Sequence, residues 1–150
     1  MVITDLIKNF GSYELPENWV ESKEHSTTNK FFYVKNGNEQ EKQPNNISIN
    51  SGTNRYAKTE HEKFKTAILK QLSVQIAGDD GIELNASGTT SSNGDIIYTF
   101  IIKESKNNII TKQYYIVGDY KYILIQETTF SEPDETDEAT KCMVDSFKWN

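Results

Sequence analysis

Short runs of alternating apolar and polar residues dominate the first fifty positions of the chain. Successive side chains of a strand point to opposite faces, so this alternation predicts strands with one face on a core. Polar turn residues, such as Asn36-Gly37-Asn38, separate the runs. The predicted strands are Phe10 to Leu15, Trp19 to Lys23, Phe31 to Lys35, and a segment around Ile47 and Ile49.

The next segment changes to a helical period. Apolar residues recur every three or four positions and form one stripe, which consists of Phe64, Ala67, Ile68, Leu72 and Ile76. Before it, Thr59 to Glu62 has the form of a capping box, in which Thr59 bonds a free amide of the first turn and Glu62 reaches back. Gly78 supplies the stop. We predict an amphipathic helix that lies on an apolar surface.

Four further strands are predicted after this helix. Asn93-Gly94 and Gly118-Asp119 are typical of tight hairpin turns, so the four segments form a meander. The second strand is apolar on both faces, which predicts a place in the middle of a sheet covered on both sides. The predicted segments are Ile82 to Thr89, Ile96 to Ile102, Ile109 to Val117, and Tyr120 to Phe130.

A second helix is predicted near the end of the sequence. The acidic run from Glu132 to Glu138 suits the positive end of a helix dipole, and a short apolar stripe follows at Ala139, Cys142, Met143 and Phe147. The order is strands, helix, meander, helix, which is segregated α+β rather than alternating βα. We therefore predict one domain over residues 1–150, with a twisted antiparallel sheet of about six to eight strands flanked by two main helices.

Composition and charge restrict the classes of partner. The 22 acidic and 16 basic residues give a net charge of −6, and the lysines are not clustered. Such a field repels phosphate backbones and anionic lipid, so we expect no nucleic-acid partner. No stretch approaches the roughly 20 apolar residues of a membrane helix, so we expect no direct membrane insertion.

The N-terminus bears on localisation. Met1 to Asp5 shows no basic region followed by a long apolar run, so no signal peptide is predicted. As written, the chain is expected to be cytoplasmic. If an export segment has been trimmed from it, the expectation changes to an exported or lipoprotein-anchored domain.

Short motifs at both ends resemble the PsbP/DcrB-like superfamily. Leu15-Pro16-Glu17-Asn18-Trp19 is similar to its entry hairpin, and Val144-Asp145-Ser146-Phe147 is similar to its closing helix. An aromatic hairpin from Tyr114 to Ile125, followed by an acidic run, lies between them in the matching order. Asn18 stands where many bacterial relatives have glycine. The resemblance implies an α/β/α sandwich and a range of non-catalytic roles, and it carries over no catalytic residue.

Three constellations of reactive residues can be weighed against plainer interpretations. Cys142 and His61 could form a nucleophile and its base, but Cys142 lies on an apolar stripe and suits a small core residue. His61 with Glu62 or His25 could bind a metal, but the spacing is not that of a metal site. The acidic run before the second helix could hold calcium, but it lacks the regular order of a calcium loop. We expect no catalytic residue, no metal and no cofactor.

Aromatic residues on the predicted strands exceed the needs of a small core. They could pair across strands inside the core or form a binding surface, and the sequence does not choose between the two. These residues are Tyr13, Trp19, Tyr33, Tyr114, Tyr115, Tyr120 and Tyr122. The leading hypothesis is a non-enzymatic protein-binding or adaptor domain with another protein as its partner, and an oligomer is compatible with it. The alternative is a small-molecule or lipid-binding, envelope-associated domain.

Overall fold

The computed structural model describes residues 2–130 and 134–150. Within these ranges the chain forms ten strands and two α-helices. In chain order they are β1 (Ile3–Ile7), β2 (Gly11–Pro16), β3 (Trp19–Glu21), β4 (Lys30–Lys35), β5 (Asn46–Thr53), α1 (His61–Ile76), β6 (Ile82–Thr90), β7 (Ile96–Glu104), β8 (Ile109–Val117), β9 (Lys121–Thr129), α2 (Asp134–Ser146) and β10 (Lys148–Trp149).

The strands form two antiparallel sheets. The main sheet has seven strands in the order β3-β4-β5-β9-β8-β7-β6, and the small sheet has three in the order β1-β2-β10. The predicted meander forms one half of the main sheet, in which each strand from β6 to β9 pairs with the next. The α+β class, the antiparallel sheet and the two flanking helices are confirmed. The small sheet was not predicted as a separate unit.

Each face of the main sheet carries its own apolar core. Beneath α1 lies a cluster built around Phe64, Leu72 and Phe100, and beneath α2 lies a larger cluster that includes Ile125 and Met143. Phe64 and Leu72 of α1 and Met143 of α2 are buried, so the amphipathic stripes of the helices face the sheet. The sheet therefore separates two interiors, which share no side chain.

Strand β7 has apolar residues on both faces, as predicted. Ile97 belongs to the cluster beneath α2, whereas Tyr98 and Phe100 belong to the cluster beneath α1. Its place in the sheet differs from the prediction, because β7 is next to the edge and β9 occupies the centre. Apolar residues on both faces of a strand indicate that both faces are covered by other elements. They do not indicate how many strands lie on either side of it in the sheet.

The start of α1 differs from the predicted capping box. A 3-10 turn at Lys58–Glu60 precedes the helix, and the carboxylate of Glu60 accepts a hydrogen bond from the Ala57 amide at 3.1 Å. This backbone bond lowers the pKa of Glu60. The predicted capping box of Thr59 and Glu62 is wrong. The side chain that bonds back to the preceding backbone belongs to Glu60, and its partner is Ala57, so the contact forms two residues earlier in the chain. The predicted stop is confirmed: Gly78 has a φ of +82°, which favours glycine.

The hairpin between β8 and β9 turns one residue later than predicted. Gly118 already pairs with Lys121 through its amide, so Asp119 and Tyr120 are the two central residues. Tyr120 has a φ of +60°, and its amide donates to the Tyr56 carbonyl at 2.9 Å. The prediction placed Tyr120 in the strand. The bond to Tyr56 stabilises a conformation that a tyrosine rarely adopts alone.

Helix α2 ends before Phe147, which the prediction had placed on its apolar stripe. Phe147 is nevertheless buried, because the chain turns there into β10, which pairs with β2. The acidic entry of the helix lies partly outside the described residues. Neither helix of the described chain is long and apolar enough to cross a bilayer.

Candidate functional site

The cysteine and the histidine that could form a catalytic pair lie on opposite faces of the main sheet. His61 begins α1, and its Nδ1 is 2.6 Å from the hydroxyl of Tyr98. Cys142 lies on α2, with its Sγ 3.6 Å from the Glu14 carbonyl oxygen. Burial, together with the nearby Glu14 carboxylate, raises the pKa of the Cys142 thiol, which disfavours the nucleophilic thiolate. The structure therefore does not bring these two residues together.

The two histidines are also far from one another in the fold. The Nδ1 of His25 is 2.9 Å from the hydroxyl of Ser22, and its ring packs against Phe32. His61 instead contacts β7 beneath α1. Within residues 2–130 and 134–150, no three His, Cys, Asp or Glu side chains are arranged to hold a metal ion.

Of the carboxylates of the acidic run that the structure describes, two form ion pairs with lysines of the main sheet. Glu135 forms an ion pair with Lys35, and Asp137 forms one with Lys112 at 2.9 Å. The calcium hypothesis also involved Glu132, which lies outside the described residues. For the part that is described, the carboxylates hold α2 against the sheet.

Most of the aromatic residues belong to the core. Tyr13, Trp19, Tyr33 and Tyr115 are buried. The hydroxyls of Tyr13 and Tyr33 lie 2.5 Å apart, and the two rings meet edge to face. Of the two alternatives that the sequence left open, these four residues follow the core alternative and not the binding surface. Of the set, Tyr120 is exposed, at the tip of the β8–β9 hairpin.

A buried cluster of polar side chains lies beneath α2 and was not predicted from the sequence. Glu127 of β9 is only 1% exposed, and Lys112 lies directly opposite it on β8. Burial, followed by a hydrogen bond to Asp137, raises the pKa of Glu127 to about 8. The same bond lowers the pKa of Asp137, together with Lys112. Burial and the neighbouring carboxylate both favour the protonated form of Glu127, whose hydroxyl is the group that can donate to the Asp137 carboxylate.

The strand pattern contained a signal for this cluster. Ile123, Ile125, Glu127 and Thr129 alternate along β9, and all four are buried on the face that α2 covers. Glu127 falls in the same alternation as the buried isoleucines. A carboxyl group at such a position of a central strand is expected to be buried. No local feature identifies Asp137 as its partner, because the contact joins a strand to a helix.

Two clefts lie at the periphery of the main sheet. A cleft of about 210 Å³ is walled by the loop before β5, and its lining includes Ser22, His25, Phe32, Glu39 and Phe130. A more open cleft of about 430 Å³ lies where the small sheet meets the main sheet, and its lining includes Phe10, Ser51, Thr53, Lys121 and Trp149. Both lie beside the two apolar clusters and not inside them.

Strand β1 presents apolar side chains to solvent. Val2 is 65% exposed and Ile7 is 80% exposed, and Ile3 between them is also exposed. Three of the five exposed large apolar residues of the described chain therefore lie within six positions. β1 pairs with β2 on one side, and its other side is a free edge. We call Val2, Ile3 and Ile7, with this edge, the β1 patch.

Comparisons with known proteins bear on the fold. No family model matches the chain, and neither does any curated protein. The solution structure of cyanobacterial PsbP (CyanoP) from Synechocystis sp. PCC 6803 is similar, with a TM-score of 0.62 and 14% identity over 99% of this chain and 92% of that one. A crystal structure from Bacteroides thetaiotaomicron VPI-5482 is also similar, with a TM-score of 0.54 and 10% identity. It matches all of this chain, which spans about half (49%) of that one. The chain therefore has a PsbP-like fold, as the motifs at its two ends implied.

Proposed function

We propose that this chain is a non-enzymatic protein-binding or adaptor domain that docks an extended segment of its partner on the β1 patch. The observation that carries the proposal is the coincidence of exposed apolar side chains with an unpaired strand edge. Single exposed apolar residues are common on protein surfaces, but a cluster of them marks an interaction site. An unpaired edge adds main-chain donors and acceptors for a further strand.

The geometry of β1 suits an extended partner. Ile3, Asp5 and Ile7 alternate along the strand, so their side chains lie on the face directed away from the core, whereas Leu6 packs inward. A strand added to the edge would place every second side chain beside Ile3 and Ile7. Main-chain hydrogen bonds then supply affinity, and the alternate side chains supply specificity. The partner segment is expected to carry apolar residues at alternate positions.

The proposal is tested by an Ile7→Lys variant used as bait in pull-downs from the source cell. Ile7 is exposed, so the change is expected to alter the free energy of unfolding by less than about 0.5 kcal/mol. A partner captured by the wild-type domain should be lost, because a lysine at the edge opposes strand addition. Val74→Lys is the matched control: Val74 is 69% exposed on α1, and its variant should retain the partner. Recovery of the same partner by the Ile7→Lys bait would count against the β1 patch.

The 430 Å³ cleft supports a second candidate, a small-molecule or lipid-binding domain associated with the cell envelope. Its volume exceeds the roughly 300 Å³ at which ligand pockets begin, and Phe10 and Trp149 supply apolar walls. A ligand in this cleft would contact the indole of Trp149. Titration with lipids and metabolites, followed by tryptophan fluorescence, should then give a saturable change that a Trp149→Phe variant abolishes. A fluorescence change that survives in the variant would assign the signal to Trp19 and remove the support for this candidate.

A further inference from the structure

Among the strands that the structure describes, β6 is a second one whose outer edge is unpaired. It forms the end of the main sheet, and its pairing with β7 runs without interruption from Ile82 to Thr90. At the opposite end of the sheet, β3 has only three residues. Alternate residues of this nine-residue strand therefore offer main-chain donors and acceptors to a further strand along roughly 30 Å, at about 3.4 Å per residue.

Natural proteins usually protect such an edge, and β6 lacks the common devices. Edge lysines, prolines and bulges prevent a further strand from adding. β6 contains no lysine and no proline, its register with β7 shows no bulge, and Glu83 is its one charged residue. The residues from Asn85 to Thr90 are neutral, small and exposed. The edge is therefore free to accept a strand.

A second copy of β6 complements this edge in one antiparallel register. If Ala86 lies on a two-fold axis, Asn85 faces Ser87 of the second copy, and Leu84 faces Gly88. The large side chain of Leu84 then lies opposite a glycine, which has no side chain. By symmetry, the Leu84–Gly88 pair and the Asn85–Ser87 pair each occur twice in the dimer. Glu83 faces Thr89, so no two like charges are directly opposite. Like charges directly opposite destabilise a strand pair.

The charge of the protein makes this edge suitable for self-association. Two copies with a net charge of −6 repel one another. Contact through residues 84–90 brings together surfaces that carry no charge of their own. The same argument does not apply to the ends of α1 and α2, where carboxylates are exposed. Approach through residues 84–90 therefore adds no contact between like charges to the overall repulsion.

We propose that the chain forms a two-fold symmetric dimer by pairing β6 with β6 of a second copy, which joins the two main sheets into one. The contact is isologous, because the same residues contribute from both copies and the assembly closes at two. The two α1 helices then lie on the same face of the joined sheet. The β1 patch belongs to the small sheet and stays free in each copy, so the inference does not rest on the proposed function.

Charge substitutions at Asn85 and Ser87 test the dimer and its register. Both residues are exposed and face each other across the proposed axis. An Asn85→Lys/Ser87→Lys variant places two lysine pairs directly opposite, and its dimer dissociation constant should rise about tenfold or more. An Asn85→Glu/Ser87→Lys variant places two opposite-charge pairs there and should remain dimeric. Sedimentation over a wide concentration range is the measurement, with the wild type expected at twice 17.2 kDa.

A control with the same charge change separates pairing from net charge. Ser92→Lys/Asn107→Lys adds two lysines at exposed positions in the turns on either side of β7, and it should stay dimeric. Any of three results would overturn the proposal. The wild type could stay monomeric at every concentration, the Asn85→Lys/Ser87→Lys variant could remain dimeric, or the Asn85→Glu/Ser87→Lys variant could be monomeric. Circular dichroism checks that the variants fold. Should one fail to fold, amide exchange of the wild type remains decisive: β6 amides must gain protection with rising protein concentration.

Discussion

Replacing Glu127 by glutamine is expected to stabilise the protein at pH 8.5 and to leave its stability near pH 5 almost unchanged. Glu127 is buried, and its pKa is raised from 4.5 to about 8. Between these values the unfolded chain has lost the proton that the folded chain still holds. Stability therefore falls as the pH rises through this window, by about 1.4 kcal/mol per unit. A glutamine has no proton to lose, and its amide can still donate to Asp137.

The measurement is the free energy of unfolding from urea titrations at pH 5, 7 and 8.5. The difference between the variant and the wild type should grow by roughly 4 kcal/mol between pH 5 and pH 8.5, because about three pH units of the window lie between them. Titrating groups that do not interact with Glu127 contribute equally to both proteins and cancel in this difference. Glu24→Gln, at an exposed loop position, is the control and should follow the wild type at every pH. Parallel pH profiles for Glu127→Gln and the wild type would show that Glu127 is charged in the folded state.

The second large effect is expected for Gly11→Ala. Gly11 lies in β2 opposite Trp149 of β10. A Cβ atom at this position would overlap the Lys148 carbonyl oxygen and lie 2.7 Å from Cζ of Phe147. Neither neighbour can yield freely, because one is backbone and the other is a buried ring. We expect β10 to separate from β2, with a loss of about 3 kcal/mol in the free energy of unfolding.

Gly81→Ala is the matched control for this prediction. A Cβ atom at Gly81 would meet only Oδ1 of Asp79, at 3.4 Å, so the change should cost less than about 0.5 kcal/mol. Denaturant unfolding compares both variants with the wild type. If Gly11→Ala unfolds at the same denaturant concentration as Gly81→Ala, the contact between β2 and the segment after α2 does not contribute to stability.

The elements that sequence analysis predicted well are those defined by local periodicity. β8 runs from Ile109 to Val117, as predicted, because turn residues bound it at both ends. The apolar stripe of α1 and its stop at Gly78 also follow from neighbouring residues. In each case the signal spans fewer than twenty positions, and tertiary contacts do not override it.

The features that were missed depend on contacts between distant parts of the chain. β10 is two residues long, and its strand conformation exists because β2 pairs with it. The pKa of Glu127 is raised by burial beneath α2 and by Asp137, which lies on that helix. The aromatic residues were equally compatible with a core and a surface, because side-chain identity does not report which face of a strand is covered. Only the packing of β2 and β4 under α2 assigned Tyr13 and Tyr33 to the interior.

The pairing of Gly11 with Trp149 has a consequence for the order of folding during synthesis. Strand β2 is synthesised directly after its neighbour β1, but its other partner, β10, follows only after the main sheet and both helices. Contacts of such long sequence separation form slowly, since the intervening loop must close first. The nascent domain therefore exposes the edge of β2 that pairs with β10 until β10 has been synthesised, a period in which chaperones have access to it.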